Sequence, residues 1–225
     1  MASQATGRTL RKIYRRLMDA YGPQHWWPAQ GPFEVIVGAI LTQSTAWTNV
    51  EKAIKSLREA GALSPAALRR LSLAELARLI HACGYHNVKA RRLKAFVDWF
   101  GAAYGDSLIK LSAGDTVHLR EQLLAVYGIG EETADSIILY AAGKPVFVID
   151  AYTRRILGRL GLKPKTESYA AYQQVFMSSL PADAALFNEY HALLVRLGKE
   201  ACRKKPLCDE CCLKDMCQFK GNLSP

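Results

Sequence analysis

Five of the six cysteines of this 225-residue chain lie in the segment 202–217. Cys202, Cys208, Cys211 and Cys217 give the spacing C-x5-C-x2-C-x5-C, in which the central pair can bend round one metal centre. Cys212 is the spare cysteine, and a second register uses it in place of Cys211. Four thiolates bind either zinc or a [4Fe–4S] cluster. The spacing therefore predicts a metal site, and ligand identity alone leaves both metals open.

The formal net charge of +10 favours a polyanionic partner. Nucleic acid is the commonest such partner and an anionic membrane the next, while simple solubility is the alternative. No apolar run approaches the roughly 18 residues that a membrane-spanning helix needs. Clustered cysteines are more typical of a metal site in a reducing compartment than of a disulfide framework. We therefore expect a cytoplasmic protein, nucleoid-associated if bacterial, without membrane attachment.

A glycine hairpin, Gly128-Ile129-Gly130, precedes a segment of helical character that begins near Glu131. Two glycines permit a tight turn, and the free N–H groups of a helix start can bind a phosphate. An ordinary corner between two helices is the alternative. Asp150, between "KPVFVID" and "AYTRRILGRL", is either a helix N-cap worth about 1 kcal/mol or a carboxylate at the mouth of a DNA-binding cleft.

Helical periodicity recurs along the chain, whereas sustained polar–apolar alternation does not, so the predicted fold class is all-α. Glycine- and proline-containing turns separate the helical segments. The middle of the chain would form one lobe, and the two ends would combine in another. The expected helices lie at about 8–21, 32–43, 46–60, 64–69, 72–82, 87–103, 116–126, 131–142, 151–160, 168–179 and 183–198.

These segments together resemble the endonuclease III branch of the helix-hairpin-helix (HhH-GPD) DNA glycosylase superfamily. The resemblance rests on "LLAVYGIGEETAD", on Asp150 in "VFVID", and on "YHALLVRLGKEAC" running into the cysteines. It implies a six-helix barrel over 30–142, which contains the helix-hairpin-helix at 123–142. It also implies a second lobe formed by 1–29 and 143–225, with the cysteine cluster at 202–217. A damaged base would be flipped out of double-stranded DNA into the cleft between these lobes.

The resemblance further implies a [4Fe–4S] cluster, with zinc as the alternative, and a protein that acts as a monomer. One departure from the family pattern is that five residues separate Cys202 from Cys208, where the family usually has six. Asp150 matches the family's catalytic aspartate, which stabilises an oxocarbenium-like sugar and helps to position or activate water. Bifunctional members carry a Schiff-base lysine in the hairpin at the position of Glu132 here. The resemblance therefore implies a monofunctional glycosylase without strong AP lyase activity.

The stretch "HWWPAQGPFE" resembles the 3-methyladenine DNA glycosylases of the endonuclease III type. An alkylated purine is electron-poor and often cationic, so it stacks well on indole rings. Adjacent tryptophans in a helical protein more often pack at least one ring in the core, which is the alternative. The residues expected to form a base pocket are Trp26, Trp27, Pro28, Phe33 and Tyr152.

Gln43 and Tyr85 occupy positions at which the family inserts side chains into the duplex. A polar helix end and a buried tyrosine are the alternatives. The further residues expected to contact DNA are Asn87, Lys89, Gly128, Gly130, Thr133 and Lys199.

Three functions remain open at this stage. The first is a monofunctional DNA glycosylase for an alkylated purine such as 3-methyladenine. The second is an endonuclease III-like glycosylase for oxidised pyrimidines or mispaired bases. The third is a non-catalytic iron–sulfur protein that binds DNA or senses redox state, against which the presence of Asp150 argues.

Overall fold

The computed structural model describes residues 4–219, which contain helices and turns and no β-strand. The all-α fold class is therefore confirmed. None of the helices in this part of the chain is long and apolar enough to cross a membrane. The helices are α1 (Gln4–Tyr21), α2 (Pro32–Leu41), α3 (Trp47–Glu59), α4 (Pro65–Arg70), α5 (Leu73–Leu79), α6 (His86–Tyr104), α7 (Leu108–Ala113), α8 (Thr116–Ala125), α9 (Glu131–Ser136), α10 (Ala151–Arg159), α11 (Tyr169–Met177) and α12 (Ala184–Glu200).

The expected helix 131–142 begins as α9 and continues as a π-helical segment, Ile137–Ala141. Helix α7 was not expected, because only one of its six side chains, Leu111, is buried. Ile109 on the same helix is 83% exposed. One buried position gives no periodicity, so the sequence carries no helical signal there. Short 3-10 turns at His81–Cys83, Cys208–Glu210 and Lys214–Met216 complete the helical structure of residues 4–219.

The chain divides into two compact units. Trp27–Lys144 form one unit, and the residues up to Trp26 with those from Pro145 onward form the other. The sequence places the corresponding limits at 30 and 142. We call these the middle unit and the terminal unit.

Helix α2 lies at the centre of the middle unit, where it packs against α3, α6 and α9. Its residues 34–41 are all buried. One of these residues is Glu34. Its carboxylate accepts two hydrogen bonds from the Arg58 guanidinium of α3, at 2.8 and 2.9 Å. A buried carboxylate is tolerated when such a bidentate partner offsets its desolvation. The neighbours of α2 therefore fix the positions of the backbone segments that precede and follow it.

The terminal unit is built on α1 and α12, which lie far apart in sequence and pack together. Leu10, Ile13 and Leu17 form the buried stripe of α1. The hydroxyl of Tyr190 on α12 donates to the carbonyl of Leu10 at 2.9 Å. The N-terminal helix is thus anchored by both apolar packing and a buried hydrogen bond.

An aromatic cluster fills the core behind these two helices. Phe147 stacks on Phe176 with ring centroids 3.7 Å apart. Phe187 and Tyr190 meet Phe147 edge-on, at 5.4 and 5.9 Å. Phe147 belongs to the extended, buried stretch 146–149 that leads into α10. The cluster therefore fixes the backbone immediately before Asp150.

Gly198 allows α12 to approach the ring of Tyr152 on α10, because a Cβ at residue 198 would overlap the ring. We expect Gly198→Ala to lower the free energy of unfolding by about 1–3 kcal/mol, since a rigid ring must move. The measurement is urea denaturation followed by circular dichroism. Gly158→Ala on α10 is the matched control, because no heavy atom of the described chain lies within 4 Å of its Cβ position. That control should gain about 0.5–1 kcal/mol, and equal effects of the two variants would contradict the steric argument.

Candidate active site

Asp150 is the N-cap of α10 and is buried, with 9% of its surface exposed. Its Oδ1 accepts a hydrogen bond of 2.7 Å from the backbone N–H of Thr153. The buried residues Val148 and Ile149 precede it, and the hydroxyl of Tyr169 accepts from the Ile149 N–H at 3.2 Å. The capping role is therefore real. It uses one carboxylate oxygen and leaves the other facing a different neighbour.

That neighbour is His191 of α12, which the sequence analysis did not single out. Its Nε2 lies 3.9 Å from Oδ2 of Asp150. Burial lowers the pKa of His191, and the Asp150 carboxylate opposes this effect without overcoming it. The neutral imidazole is therefore the favoured form at neutral pH. A histidine about two turns from the helix start, on an apolar face, carries no sequence signal of such a contact.

Three other residues expected at the site belong to the same terminal unit. Tyr152 is half-buried, and the guanidinium of Arg155 lies 5.1 Å from the centroid of its ring. Lys199 is exposed, with its Nζ 5.9 Å from the ring centroid of Trp26. A cation over an indole face is attracted by the ring quadrupole. Trp26 and Lys199 therefore form a mixed aromatic and basic surface.

Trp27 belongs to the middle unit, where two further aromatic rings surround it. Its ring centroid lies 5.2 Å from that of Trp47 and 5.3 Å from that of Tyr140. Gly38 permits this arrangement, because a Cβ there would lie 3.2 Å from the Trp27 ring. Trp27 is half-buried. We call Trp27, Trp47 and Tyr140 the three-ring cluster; only Trp27 was expected from the sequence.

The other two expected pocket residues of this unit lie beside α2. Pro28 is exposed, and Phe33 is half-buried in the first turn of the helix. Tyr140 of the three-ring cluster comes from the π-helical segment, a kind of helical irregularity that is frequent at functional sites.

Gln43, at the end of α2, is hydrogen-bonded to the glycine hairpin. Its Nε2 donates to the carbonyl of Gly128 at 3.0 Å and to the hydroxyl of Thr133 at 2.9 Å. Arg92 of α6 donates to its Oε1. Gly128 has a φ of 79° and lies so close to Arg92 that a Cβ would overlap the arginine side chain. Three residues that the sequence assigns to DNA contacts thus contact one another.

Gly130 of the hairpin is the N-cap of α9 and is exposed, whereas Thr133 in the first turn of α9 is buried. Glu132 is exposed in the first turn. Arg120 of α8 donates to the buried Asp135 carboxylate at 2.7 Å. This buried pair fixes α9 against α8 and so sets the geometry of the turn.

Tyr85 is the most prominent aromatic side chain of the middle unit, with 73% of its surface exposed. It has a φ of 46° and a ψ of 29°, in the left-handed region. Few residues other than glycine adopt this conformation, which costs roughly 1–2 kcal/mol. Asn87 is exposed on the first turn of α6, close to Tyr85. The predictions that place both residues at a DNA surface are consistent with their exposure.

The assignment of Lys89 to direct DNA contacts is wrong. The residue is 1% exposed, and its Nζ donates to the carbonyls of Leu41 and Cys83 at 2.9 and 2.8 Å. Burial lowers the pKa of its ammonium group. The lysine instead stabilises the end of α2 and the turn before Tyr85, because it satisfies the carbonyls of the last residues of α2 and of the 3-10 turn His81–Cys83.

The four expected metal ligands all belong to the terminal unit. Burial raises the pKa of the Cys211 thiol, and the nearby thiols of Cys202, Cys217 and Cys208 raise it further. Among the cysteines, only Cys211 contributes to the raised pKa of Cys212. Cys211, unlike Cys212, thus interacts electrostatically with Cys202, Cys208 and Cys217.

Arg159, at the end of α10, holds this segment. Its Nη1 donates to the sulfur of Cys202 at 3.1 Å and to the carbonyl of Arg203 at 2.7 Å. The sulfur of Cys217 donates to the Arg159 carbonyl at 3.4 Å. No three His, Cys, Asp or Glu side chains within residues 4–219 are spaced to hold a single metal ion.

Comparison with known proteins identifies the fold's family. Residues 37–182 match the HhH-GPD superfamily of base excision DNA repair proteins. A protein of Methanocaldococcus jannaschii, provisionally named a DNA repair glycosylase, is 44% identical over 210 residues. The match covers 93% of this chain and 96% of that protein. Endonuclease III of Thermotoga maritima is 31% identical over 215 residues, covering 93% and 92% of the two chains.

Among solved structures, the 3-methyladenine DNA glycosylase of Helicobacter pylori bound to 1,N6-ethenoadenine superposes with a TM-score of 0.75. It is 27% identical, and the alignment covers 87% of this chain and 97% of that chain. The protein therefore belongs to the HhH-GPD superfamily and is a DNA repair glycosylase.

The left-handed backbone at Tyr85 gives a test that separates strain from packing. We expect Tyr85→Gly to be more stable than Tyr85→Ala by about 0.5–1 kcal/mol, because glycine relieves the positive φ despite its greater entropy loss on folding. The measurement is the midpoint of chemical denaturation for both variants. The same two substitutions at Val117, exposed on α8, form the control and should show the opposite order. An alanine variant at 85 as stable as the glycine variant would refute the strain.

Proposed function

We propose that the protein is a monofunctional DNA glycosylase that excises an alkylated purine such as 3-methyladenine. The observation that carries this proposal is the three-ring cluster of Trp27, Trp47 and Tyr140. Aromatic rings suit a flat, electron-poor base, which gains cation–π attraction when it is cationic. The similarity to the H. pylori 3-methyladenine DNA glycosylase supports the same substrate class.

Asp150 is the residue proposed to carry the chemistry. As the C1′–N bond breaks, the sugar develops positive charge, which a carboxylate at a water-poor position stabilises. The N–H of Thr153 fixes one oxygen, so the carboxylate does not need to reorient during the reaction. Water is the proposed nucleophile, and Asp150 positions it. Alkylation already weakens the glycosidic bond, so one well-placed carboxylate is sufficient.

The absence of a hairpin lysine underlies the monofunctional assignment. Glu132 stands where the resemblance places the Schiff-base lysine of bifunctional members, and a carboxylate cannot form an imine. Lys89 does not replace it, because its buried ammonium group is bonded to two backbone carbonyls. We therefore expect no borohydride-trapped covalent complex with DNA.

Double-stranded DNA with a damaged base is the proposed partner. Tyr85 is the proposed wedge that fills the space left by the flipped base, with Asn87, Gly130 and Lys199 near the backbone. All four are exposed. Gln43 is the second proposed inserting residue, and it would have to exchange its hydrogen bonds to Gly128 and Thr133 for bonds to DNA.

We propose that Cys202, Cys208, Cys211 and Cys217 hold a [4Fe–4S] cluster. Such a group would supply a fixed centre for the loop 203–207, which contains three basic residues. Arg159 supports the cofactor site by donating to the Cys202 sulfur. The proposed role of the cluster is structural, because no step of base release needs it.

The first test is base release from duplex DNA treated with a methylating agent, followed by chromatography. Asp150→Asn should reduce the rate by about 100-fold or more, because the developing positive charge loses its counter-charge. Asparagine is an equally good N-cap, so the variant should remain folded. Asp183→Asn, at the N-cap of α12, is the matched control and should release base normally.

An unchanged rate in Asp150→Asn would remove this residue from the mechanism. If the wild-type protein releases no methylpurine but acts on oxidised pyrimidines or mispaired bases, the endonuclease III-like alternative holds instead. The T. maritima relative favours that second candidate. The three rings would then have a packing role only.

The cofactor proposal predicts a brown protein with a broad absorbance band in the visible region and iron and sulfide in equal amounts. Cys211→Ser should lose iron, since this thiol belongs to the proposed ligand set. Cys212→Ser is its neighbour in sequence and should retain iron. A colourless protein with stoichiometric zinc, or iron loss from Cys212→Ser alone, would contradict the proposed ligand set.

A further inference from the structure

The two oxygens of Asp150 have different surroundings. Oδ1 is fixed by the Thr153 N–H at 2.7 Å, whereas Oδ2 lies 3.9 Å from Nε2 of His191. Both residues are buried, with 9% and 6% of their surfaces exposed. The second separation is too long for a hydrogen bond but short enough for a strong charge interaction. The contact therefore depends on the protonation state of the histidine.

His191 is buried and meets the ring of Phe147 edge-on, with centroids 6.3 Å apart. The feature that distinguishes His191 from core packing is the carboxylate at its Nε2.

The charged groups near His191 come from the elements that pack against α12, namely α10 and α1. Asp150 at the start of α10 acts on the imidazole, while Arg155 further along α10 bonds to the carbonyls of Gly198 and Cys202. Two titratable groups nearby have other contacts: Tyr14 of α1 packs on Tyr190, and Glu189 of α12 accepts from the Gln24 N–H. Asp150 is thus the charged partner relevant to protonation of His191.

The two protonation states have opposite consequences for the proposed chemistry. A neutral imidazole leaves the negative charge of Asp150 available to the positively charged sugar. An imidazolium 3.9 Å away would form an ion pair with Oδ2 and neutralise that charge. Burial lowers the pKa of His191, so the neutral form persists to below the usual histidine range before a solvent proton binds.

We propose that His191 is a positioning residue whose neutral ring, 3.9 Å from Oδ2, orients the Asp150 carboxylate by contact and dipole rather than by a hydrogen bond, and that its protonation in mild acid switches off base excision. This inference rests on the role proposed above for Asp150. It assigns to a second residue both the orientation of Oδ2 and the acid limit of activity. His191 does not contact the substrate in this proposal; it acts through Asp150.

The test is the pH profile of single-turnover base release from methylated duplex DNA, for wild type and His191→Gln. Glutamine places an amide near the position of Nε2 and does not titrate. The wild type should lose activity in acid, at pH values below the ordinary pKa of histidine because burial lowers the pKa of His191, and the glutamine variant should keep its rate to lower pH. His118→Asn, an exposed histidine on α8, should retain the wild-type profile. An acid limb that is unchanged in His191→Gln would overturn the proposal.

His191→Phe separates orientation from volume, because it keeps a ring of similar size and removes both nitrogens. At pH 8 its rate should fall by about tenfold, and more than that of His191→Gln, since a misplaced reactive group loses rate steeply. Thermal midpoints of both variants are measured alongside. Equal rates at pH 8 for the two variants would show that His191 only packs the core.

A second readout needs no substrate, and so distinguishes failure of this inference from failure of the proposed function. The pKa of His191 is followed by NMR in the wild type and in Asp150→Asn. Removing the carboxylate should lower the pKa of His191 further, because Asp150 raises it. An identical pKa in both proteins would overturn the pairing. Pairing observed in a protein that releases no alkylated base would overturn only the substrate assignment, and the pH profile would then be measured on the base that the protein does release.

Discussion

The burial of the Asp150 carboxylate is the constraint on which the terminal unit depends. A buried negative charge is costly unless dipoles compensate it, and here the N–H of Thr153 and the start of α10 do so. The extended stretch 146–149 must therefore end where α10 begins, and the aromatic cluster around Phe147 fixes that point. At the other end of α10, Arg159 bonds to the cysteine segment. Helix α10 thus fixes the positions of both the Asp150 carboxylate and the proposed cluster.

Glycines allow two of the aromatic contacts to form. Gly198 gives Tyr152 room against α12, and Gly38 gives Trp27 room against α2. In each case a helix lies close to an aromatic ring, Tyr152 or Trp27, that the sequence analysis assigns to the base pocket. The loss of helix propensity at such positions is about 1 kcal/mol relative to alanine. A close-packed ring gains more than this in buried area, so the approach is favourable overall.

The sequence predicts those parts of the molecule that depend on local pattern. The all-α class, the N-cap position of Asp150 and the hairpin follow from periodicity and turn residues. The failures concern contacts between distant segments. Lys89 has the charge of a DNA-binding residue, but its partners Leu41 and Cys83 place it in the interior. His191, Trp47 and Tyr140 become candidates only when α12 reaches Asp150 and when α3 and the π-helical segment reach Trp27.

The two proposed inserting residues differ in what they must give up to enter DNA. Gln43 is bonded to Gly128, Thr133 and Arg92 in the free protein, so insertion first breaks contacts that also hold the hairpin. Tyr85 is exposed and has already adopted the strained left-handed backbone that projects it from the turn. Strain present before binding need not be generated during binding. In the proposed complex, Tyr85 is therefore the side chain prepared for the first contact with a weakened base pair, and Gln43 would follow only when the DNA offers replacement hydrogen-bond partners.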